Sequence, residues 1–353
     1  MPAKVEDVIL GVVGTGLMGR GIAQIAAQAG VPVLLFDSRP GGAEEARQTL
    51  SSTLATLASK GKIIADAASA ASGRLKVANT LEDLKSCTVV VEAIVENLEA
   101  KQQLFRALEG VVRADCILAT NTSSLSVTSI ASAVSAQSRV AGFHFFSPVP
   151  LMKIVEVIPG PLTAEQVVET LTALAERMGH TPVRASDTPG FIINHAGRGY
   201  NTEALRILGE TIAPHAEIDR ILRQAAGFRM GPFELMDMTG LDVSQPVMEA
   251  IYNQYYQEPR FRPSPIAGQR LAAGLLGRKS QRGFYEYKNG EKIEVPVQAV
   301  PPRVERPVWL SVSDRTSFPE VTKILSSLGA IVETGKVASP AAMRFRHRGC
   351  VLP

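Results

Sequence analysis

Cysteine is scarce in this sequence. It occurs three times, at Cys87, Cys116 and Cys350, and no pair has the C-x-x-C or histidine-containing spacing of a zinc site. An odd number of scattered cysteines argues against a disulfide framework and against a structural metal ion. We therefore expect a chain without metal, located in the reducing environment of the cytoplasm.

A charge bias and long apolar runs are also lacking. Lysine and arginine (37 residues) nearly balance aspartate and glutamate (34 residues), which leaves a formal net charge of +3. This balance differs from the basic stripe of a nucleic-acid-binding protein, and no apolar run approaches the length of a membrane span. The amino-terminal MPAKVED carries two acids before the first strand, so no signal peptide is expected. We predict no nucleic acid and no membrane among the partners.

A glycine-rich loop stands near the amino terminus, between an apolar strand (8–13) and a helix (21–29). The next strand (31–36) ends at an aspartate, and glycines in such a loop permit close approach of the backbone to a pyrophosphate. A glycine turn that binds nothing is the alternative. Because a carboxylate repels a 2′-phosphate, the pattern favours NAD over NADP. The predicted cofactor contacts are Gly14, Gly16, Leu17, Met18, Gly19 and Asp37.

Strand and helix patterns alternate from this loop to about residue 185. Such alternation predicts an α/β, Rossmann-type doubly wound sheet, whose ligands bind beyond the carboxyl ends of the strands. Glu96 and Asn97 follow one predicted strand (88–95), and Asn121-Thr-Ser-Ser124 follows another (116–120). We expect both polar segments to lie at the binding crevice.

A histidine and a glutamate interrupt two apolar strands of this half. His144 lies within the predicted strand 140–146, and Glu156 follows twelve positions later among valines and isoleucines. A buried carboxylate is costly to desolvate unless a partner compensates it, and an imidazolium is a suitable partner. The pair therefore suggests a general base oriented by an acid. The alternative is a hydrogen-bonded core histidine and a glutamate on a solvated strand face.

The alternation stops at the turn-forming segment Ser186-Asp-Thr-Pro-Gly190. Beyond it the patterns predict an all-helical domain, which we expect to pack on the sheet and on a second copy of itself. Met230 to Asp237 is expected to be a linker between helices. The predicted helices are 191–208, 217–226, 246–256 and 265–276.

The tail differs in kind from the rest of the chain. A proline-rich linker (295–302) leads to strand, helix and strand patterns, and we expect the basic segment 344–353 to be poorly ordered. The whole chain thus divides into an NAD-binding domain, a helical substrate and dimerisation domain, and a linker with a partial, partly disordered β-α-β extension. The predicted boundaries of these three parts are 1–187, 188–288 and 289–353.

Several motifs, taken together and in order, resemble those of the L-3-hydroxyacyl-CoA dehydrogenases over about residues 8–287. The resemblance implies a Rossmann-type domain, a helical domain that forms a homodimer, and NAD-dependent oxidation of an L-3-hydroxyacyl-CoA to the 3-ketoacyl-CoA in fatty-acid or aromatic-acid degradation. The tail resembles the start of an extension in longer bacterial members, cut short. The motifs are Gly14-x-Gly16-x-x-Gly19, Val91-Glu-Ala-Ile-Val-Glu-Asn97, Asn121-Thr-Ser-Ser124, His144-Phe-Phe-Ser-Pro148, Asp187-Thr-Pro-Gly-Phe-Ile-Ile-Asn194 and Met230-Gly-Pro-Phe-Glu-Leu235.

The resemblance also implies roles for single residues. His144 would be the general base and Glu156 its orienting partner, while Ser123 and Asn194 would contact the acyl-CoA substrate as further catalytic residues. Thr53 and Lys60 fall where the family binds the coenzyme A moiety. The implied residues of the cofactor site outside the glycine loop are Glu96, Lys101, Ser123, Ser147 and Lys279.

Three positions depart from the common family pattern. Ser147 stands where asparagine is frequent, His195 where arginine is common, and Gln281 in place of a usual glycine. None of these changes removes a proton carrier. The departures at Ser147 and Gln281 are expected to alter contacts with the cofactor or the acyl chain.

Other interpretations of the same residues are open. Ser123 and Asn194 could be ordinary caps of helices. The chain could also be a dinucleotide-binding protein without catalysis, although the intact histidine and glutamate argue against that. A dehydrogenase of free hydroxy acids is a third possibility, and it would have no use for Lys60 and Lys62.

Overall fold

The computed structural model describes residues 5–296, 307–312 and 318–335. The chain divides into two compact units, Met1–Ile293 and Glu294–Pro353. No helix among these described residues is long and apolar enough to cross a lipid bilayer.

An eight-stranded sheet forms the centre of the first half of the chain, with strand order β3-β2-β1-β4-β5-β6-β7-β8. The first six strands run parallel, and β7 and β8 run in the opposite direction to them. This order is that of a dinucleotide-binding doubly wound sheet with two added strands. The strands are β1 (Leu10–Val13), β2 (Val33–Phe36), β3 (Leu75–Val77), β4 (Val89–Glu92), β5 (Ile117–Thr120), β6 (Val140–Phe145), β7 (Ile154–Pro159) and β8 (Thr181–Arg184).

Helices cover both faces of this sheet, because successive side chains of its buried strands point to opposite faces. Within β4, Val89 and Val91 join one buried apolar cluster and Val90 joins the other. The predicted Rossmann-type α/β fold is thereby confirmed. The helices of this half are α1 (Leu17–Gln28), α2 (Gly42–Ser59), α3 (Ala65–Gly73), α4 (Leu98–Val111), α5 (Val127–Ala131) and α6 (Glu165–Arg177).

The second half of the first unit is helical around its own apolar core. Phe233, Met236, Leu241 and Met248 are buried at its centre. The helices are α7 (Ile193–Ala196), α8 (Arg198–Gly209), α9 (His215–Gln224), α10 (Pro232–Thr239), α11 (Leu241–Gln254) and α12 (Pro265–Ala272), and a short hairpin of β9 (Tyr287–Lys288) and β10 (Glu291–Lys292) follows.

The prediction of a linker from Met230 to Asp237 is wrong, because α10 begins at Pro232 and runs through the rest of this segment to Thr239. Pro232 occupies the first turn, where its missing amide hydrogen costs nothing. The Glu234 carboxylate accepts the Gly231 amide at 3.0 Å, and Asp219 accepts the amides of Phe233 and Glu234, both at 3.0 Å. A glycine–proline pair thus begins a helix here rather than preventing one.

The predicted helix 191–208 is also not a single element. Phe191 has a left-handed backbone with φ 50°, and the helix divides at Gly197 into α7 and α8. Both dihedrals of Gly197 stay in the right-handed helical region, so the path of the chain is nearly continuous there.

The second unit contains the predicted β-α-β pattern. Strands β11 (Val308–Ser311) and β12 (Val332–Gly335) pair in parallel, and α13 (Phe318–Ser327) lies between them in the chain. The segment 344–353, predicted to be poorly ordered, lies outside the described residues.

Candidate active site

The glycine loop between β1 and α1 has the geometry of a phosphate-binding turn. Gly14 has φ 92°, and a Cβ atom there would lie 2.6 Å from the carbonyl oxygen of Ala93; one at Gly19 would lie 1.9 Å from the oxygen of Gly14. A Cβ atom at Gly16 would meet nothing within 4 Å, so the loop backbone faces open space. Gly16 caps α1 without a side-chain bond, which leaves the first amides of the helix available to an anion.

Asp37 follows β2 and is bonded to the same loop. Its Oδ2 accepts the Thr15 amide at 2.8 Å and the Thr15 hydroxyl at 2.6 Å, and its Oδ1 accepts the Arg39 amide at 2.9 Å. Burial raises the pKa of this carboxyl, but the hydrogen bonds from Thr15 and Arg39 outweigh it and hold the pKa below its usual value. The acid therefore stays ionised at the end of β2. Leu17 and Met18 are the first two residues of α1.

His144 and Glu156 are direct cross-strand neighbours on β6 and β7. The His144 Nδ1 atom lies 2.7 Å from Oε2 of Glu156, and both residues are buried, with exposed fractions of 2% and 0%. The other carboxylate oxygen, Oε1, accepts the amides of Ile192 at 2.9 Å and Ile193 at 3.0 Å. These donors compensate the buried charge and fix the orientation of the acid.

The second ring nitrogen of His144 faces the segment 121–124 after β5, which we call the serine loop. Its Nε2 atom lies 3.1 Å from the Ser123 hydroxyl. With Glu156 accepting the hydrogen of Nδ1, Nε2 carries a lone pair and accepts from Ser123. This is the tautomer that can take a proton from a substrate.

Glu96 holds the serine loop from outside. One of its oxygens accepts the amides of Ser123 and Ser124, both at 2.9 Å, and the Thr122 hydroxyl at 2.6 Å. Burial raises the pKa of the Glu96 carboxyl, but Lys101 and these hydrogen bonds outweigh it and lower the pKa. The charge of Glu96 is thereby fixed next to the loop.

Lys101 lies behind Glu96. It is 1% exposed, with Nζ 2.5 Å from Oε1 of Glu92 and 3.3 Å from Oε2 of Glu96. Glu92 also accepts the Thr120 hydroxyl at 2.7 Å. Lys101 thus contacts Glu96, and Glu96 in turn bonds the serine loop at the crevice.

The helical domain closes the site through consecutive carbonyl groups of the serine loop. Asn194 of α7 donates its side-chain amide to the Ser123 oxygen at 3.2 Å, and Gln254 at the end of α11 donates to the Ser124 oxygen at 2.6 Å. Residues of both halves of the first unit therefore surround the imidazole.

The structure brings His144, Glu156, Ser123 and Asn194 together, with Glu96 and Lys101 next to the serine loop. Four other predicted contacts form no bond to these residues. Thr53 is half-buried on α2, where its hydroxyl donates to the Thr49 oxygen at 2.8 Å, and Lys60 is exposed at the end of the same helix. Ser147 is exposed just after β6. Lys279 forms an ion pair with Asp242 at 2.7 Å in the helical domain. The cofactor and coenzyme A contacts of these four residues stay predictions.

Several residues that hold the site were not predicted. Gln254 and Glu92 were missed. Asn121 was expected at the crevice without an assigned contact, and its Oδ1 accepts the Phe145 amide at 2.9 Å next to His144. Asp187 accepts the amides of Val127 (2.9 Å) and Thr128 (2.7 Å) and so caps α5. Glu92 could have been found in the same way as Glu156, because it is a charged residue in an otherwise apolar strand. Gln254 lies in a helix with other polar residues, so its sequence position gives no such indication.

Two of the departures from the family pattern are accommodated locally. His195 Nδ1 lies 3.1 Å from the Tyr255 hydroxyl, and its ring contacts Phe261 at 5.3 Å between centroids. Gln281 has φ 59°, the left-handed region that favours glycine, and its side-chain amide donates to the Arg278 oxygen at 3.0 Å.

The fold and this arrangement of residues define a two-domain, NAD-binding dehydrogenase. The described residues hold no group of three histidine, cysteine or acidic side chains placed to bind a metal ion. The family model of the 3-hydroxyacyl-CoA dehydrogenase NAD binding domain matches residues 9–188, and that of the 3-hydroxyacyl-CoA dehydrogenase C-terminal domain matches residues 190–287. The protein belongs to the 3-hydroxyacyl-CoA dehydrogenase family.

Individual relatives agree with this assignment. The 3-hydroxyadipyl-CoA dehydrogenase of Escherichia coli K12 is 41% identical over 289 residues, which cover 82% of this chain and 61% of that protein. The probable 3-hydroxybutyryl-CoA dehydrogenase of Deinococcus radiodurans is 40% identical over 277 residues, covering 78% of this chain and 99% of that protein. This chain therefore spans less than two thirds of the first relative and nearly all of the second.

A solved structure gives the same result for the fold. The crystal structure of (S)-3-hydroxybutyryl-CoA dehydrogenase from Ralstonia eutropha shares 36% identity with this chain at a TM-score of 0.76 and covers 80% of this chain and 99% of that one. Together these matches confirm the predicted family, the NAD cofactor and the class of enzyme, an NAD-dependent oxidoreductase.

Proposed function

We propose that this protein oxidises the 3-hydroxyl group of an L-3-hydroxyacyl-CoA to the 3-ketoacyl-CoA with NAD, in fatty-acid or aromatic-acid degradation. The observation that carries the proposal is the imidazole of His144, fixed between Glu156 at 2.7 Å and Ser123 at 3.1 Å. A buried histidine with one nitrogen bonded to a carboxylate and the other facing a polar crevice is suited to general-base catalysis.

In this reaction Nε2 of His144 takes the proton of the 3-hydroxyl group. NAD, when bound, supplies the acceptor of the hydride that leaves C3. Positive charge develops on the imidazole during the proton transfer, and Glu156 stabilises that charge through the hydrogen bond to Nδ1. The bonds from the Ile192 and Ile193 amides keep the carboxylate aligned with the ring throughout.

Ser123 contacts the reacting nitrogen and Asn194 contacts Ser123, and we assign to them the positioning of the substrate oxygens. The Ser123 hydroxyl already lies within hydrogen-bond distance of Nε2 and can pass that contact to the 3-hydroxyl group. Positioning of this kind raises kcat, because binding energy is used to hold the reacting atoms in alignment. A capping role for Ser123 is not favoured, since Ser126 and Asp187 cap α5.

The glycine loop suits the cofactor. The open space at Gly16 and the uncapped amides of α1 fit a pyrophosphate, and Asp37 fits the ribose hydroxyl groups. Glu96 would hold the serine loop in place on the nicotinamide side, with Lys101 fixing Glu96. Thr53 and Lys60 are seven residues apart on α2, hence on one face of that helix, and would meet the coenzyme A moiety.

Three further parts of the proposal concern the whole protein. We propose the domain boundaries 1–187, 188–288 and 289–353, and a homodimer formed through the helical domain. The cytoplasmic location remains a prediction from the cysteine content. The names of the relatives include both 3-hydroxyadipyl-CoA and 3-hydroxybutyryl-CoA, so the acyl group has to be assigned from residues of this chain.

The test compares wild-type protein with His144→Ala on 3-hydroxybutyryl-CoA and NAD. Loss of a positioned base lowers kcat by about 10² to 10⁴, while NADH binding, measured by fluorescence titration, should stay near the wild-type value. Undiminished turnover by His144→Ala would contradict the proposal. A wild type that oxidises free 3-hydroxybutyrate faster than its coenzyme A thioester would favour the free-acid dehydrogenase instead.

A further inference from the structure

Arg198 is a buried cation that forms no ion pair with any residue the structure describes. This first residue of α8 is 6% exposed, and its Nε and Nη1 atoms make no hydrogen bond within the described part of the chain. Burial lowers the pKa of its guanidinium to about 10, and no acidic group counteracts that effect. A buried charge without a counter-charge is costly. A ligand that brings a negative charge would remove that cost.

The helix places Arg198 one turn beyond the reacting centre. Gly197 keeps right-handed dihedrals (φ −72°, ψ −9°), so the helical path continues from Asn194 to Arg198. Residues four positions apart lie on one face, about 6 Å apart along the axis. Asn194 donates to the oxygen of Ser123, the residue whose hydroxyl faces His144. The guanidinium is therefore attached one turn from the residues that would hold C3.

Asn201 adds a second polar group to the same helix face. It lies seven positions after Asn194, is 6% exposed, and its Oδ1 atom has no hydrogen-bond partner among the described residues. The oxygen and nitrogen of an asparagine amide are exchanged by a simple rotation, so this group can present its two N–H donors instead. The half-buried Asn194 and the buried Arg198 and Asn201 thus form a polar stripe that leads away from the site.

We propose that Arg198, with Asn201, binds the terminal carboxylate of a dicarboxylic 3-hydroxyacyl-CoA. This inference rests on the proposed function, which places C3 at His144 and the substrate oxygens at Ser123 and Asn194. A carboxylate a few bonds beyond C3 reaches the next turn of the helix. Its two oxygens match the planar fork of a guanidinium, and the pair neutralises both buried charges.

The test uses two thioesters of equal carbon count, 3-hydroxyadipyl-CoA and 3-hydroxyhexanoyl-CoA, which differ in the terminal carboxylate. The readout is the ratio of their kcat/KM values in the full chain with NAD. Wild type should prefer the dicarboxylic substrate, and Arg198→Met should lower the ratio by about ten- to hundredfold, the effect of a lost charge-assisted hydrogen bond. The matched control is Arg206→Met, an exposed arginine of the same helix that pairs with Glu203, and its ratio should equal that of wild type.

A second variant covers the case in which Arg198→Met does not fold. Arg198→Lys keeps the charge but loses the bidentate geometry. Its effect can be measured without turnover, as the ratio of inhibition constants of adipyl-CoA and hexanoyl-CoA. We expect that ratio to move toward unity.

The outcomes separate the two proposals. A wild type that oxidises neither thioester contradicts the proposed function itself. A wild type that oxidises both but does not prefer 3-hydroxyadipyl-CoA overturns only the role of Arg198. Substrate ratios that are unchanged in both Arg198 variants would also overturn the role of Arg198. That result is expected if a carboxylate of a second copy of the chain is the partner of Arg198.

Discussion

At the scale of single residues, Glu156 connects the sheet to the helical domain. Its Oε2 atom bonds the imidazole of His144, and its Oε1 atom accepts the amides of Ile192 and Ile193 at the start of α7. The residue is fully buried, so each of these donors replaces a water molecule that the carboxylate has lost. One acid thus serves the base and positions the segment that carries Asn194.

The change Glu156→Gln tests this double role. A glutamine has the same shape, but its amide group must direct hydrogens either at the Nδ1–H of His144 or at the two backbone N–H groups. We expect kcat for 3-hydroxybutyryl-CoA to fall by about 10² to 10⁴, measured as NADH formation at saturating NAD. NADH affinity should change little, since the glycine loop is untouched.

The control for this variant is Glu165→Gln on α6. Glu165 is an exposed acid paired with Arg184 at 2.5 Å, far from any role in proton transfer. It should leave kcat near the wild-type value. Near-normal kcat in Glu156→Gln, with the protein folded, would show that the carboxylate is dispensable.

Single residues were predictable from sequence where a polar side chain contradicts its surroundings. His144 and Glu156 are ionisable residues in strands of apolar residues, and this mismatch is what predicts that they belong to a functional site. Gln254 and Arg198 lie in helices with many polar residues, where they look like ordinary surface side chains. The burial of Arg198 and the contact of Gln254 with Ser124 depend on how the two domains and the neighbouring helices pack, and a periodic sequence pattern does not reveal that packing.

At the scale of elements, the serine loop is held in place by its neighbours rather than by its own structure. Glu96, just before α4, accepts the amides of Ser123 and Ser124, while Asn194 and Gln254 donate to the carbonyl groups of the same two residues. The loop therefore has few internal constraints, and its position follows from the charge of Glu96 and from the docking of α7 and α11.

The change Glu96→Gln should loosen this loop in a pH-dependent way. The pKa of Glu96 in the folded chain lies below its ordinary value of 4.5, so the stability it contributes is present above that value and is lost as the pH falls through the folded pKa. We expect the variant to lose about 1–2 kcal/mol of unfolding free energy at pH 7, measured by urea denaturation. The difference from wild type should shrink below about pH 4.5.

The matched control for Glu96→Gln is Glu99→Gln, an exposed residue in the first turn of the same α4. This variant should lose no more than about 0.5 kcal/mol of unfolding free energy, the contribution of an exposed acid in the first turn of a helix. A stability difference for Glu96→Gln that stays constant down to pH 3 would contradict the assigned role of the charge.

Elements were predicted well where hydrophobic periodicity is strong, as in the alternating strands of the sheet. The start of α10 was missed, since a linker was predicted from Met230 to Asp237, although proline in a first turn is compatible with a helix. The buried Asp219, which accepts two amides of α10, supplies the cap. Such a cap comes from a residue distant in sequence, so the local pattern does not reveal it.

At the scale of the whole molecule, every residue of the candidate site belongs to the first compact unit, Met1–Ile293. The end of that unit is part of its core. Phe284 and Tyr285 are buried, and their amides donate to Asp237 at 2.8 and 2.9 Å. In the second unit, by contrast, the helix α13 has no buried residue.

A chain ending at Ile293 should therefore keep the fold and the activity. We expect its kcat/KM for 3-hydroxybutyryl-CoA to lie within about twofold of the full chain, and its Tm to shift by no more than a few degrees.

A chain ending at Gly283 is the matched control. It loses Phe284 and Tyr285, so Asp237 is left buried without two of its donors, and we expect the helical domain to lose its structure, seen as a weaker helical signal in circular dichroism. Loss of activity in the longer chain, with its helical signal intact, would mean that residues after 293 contribute to catalysis.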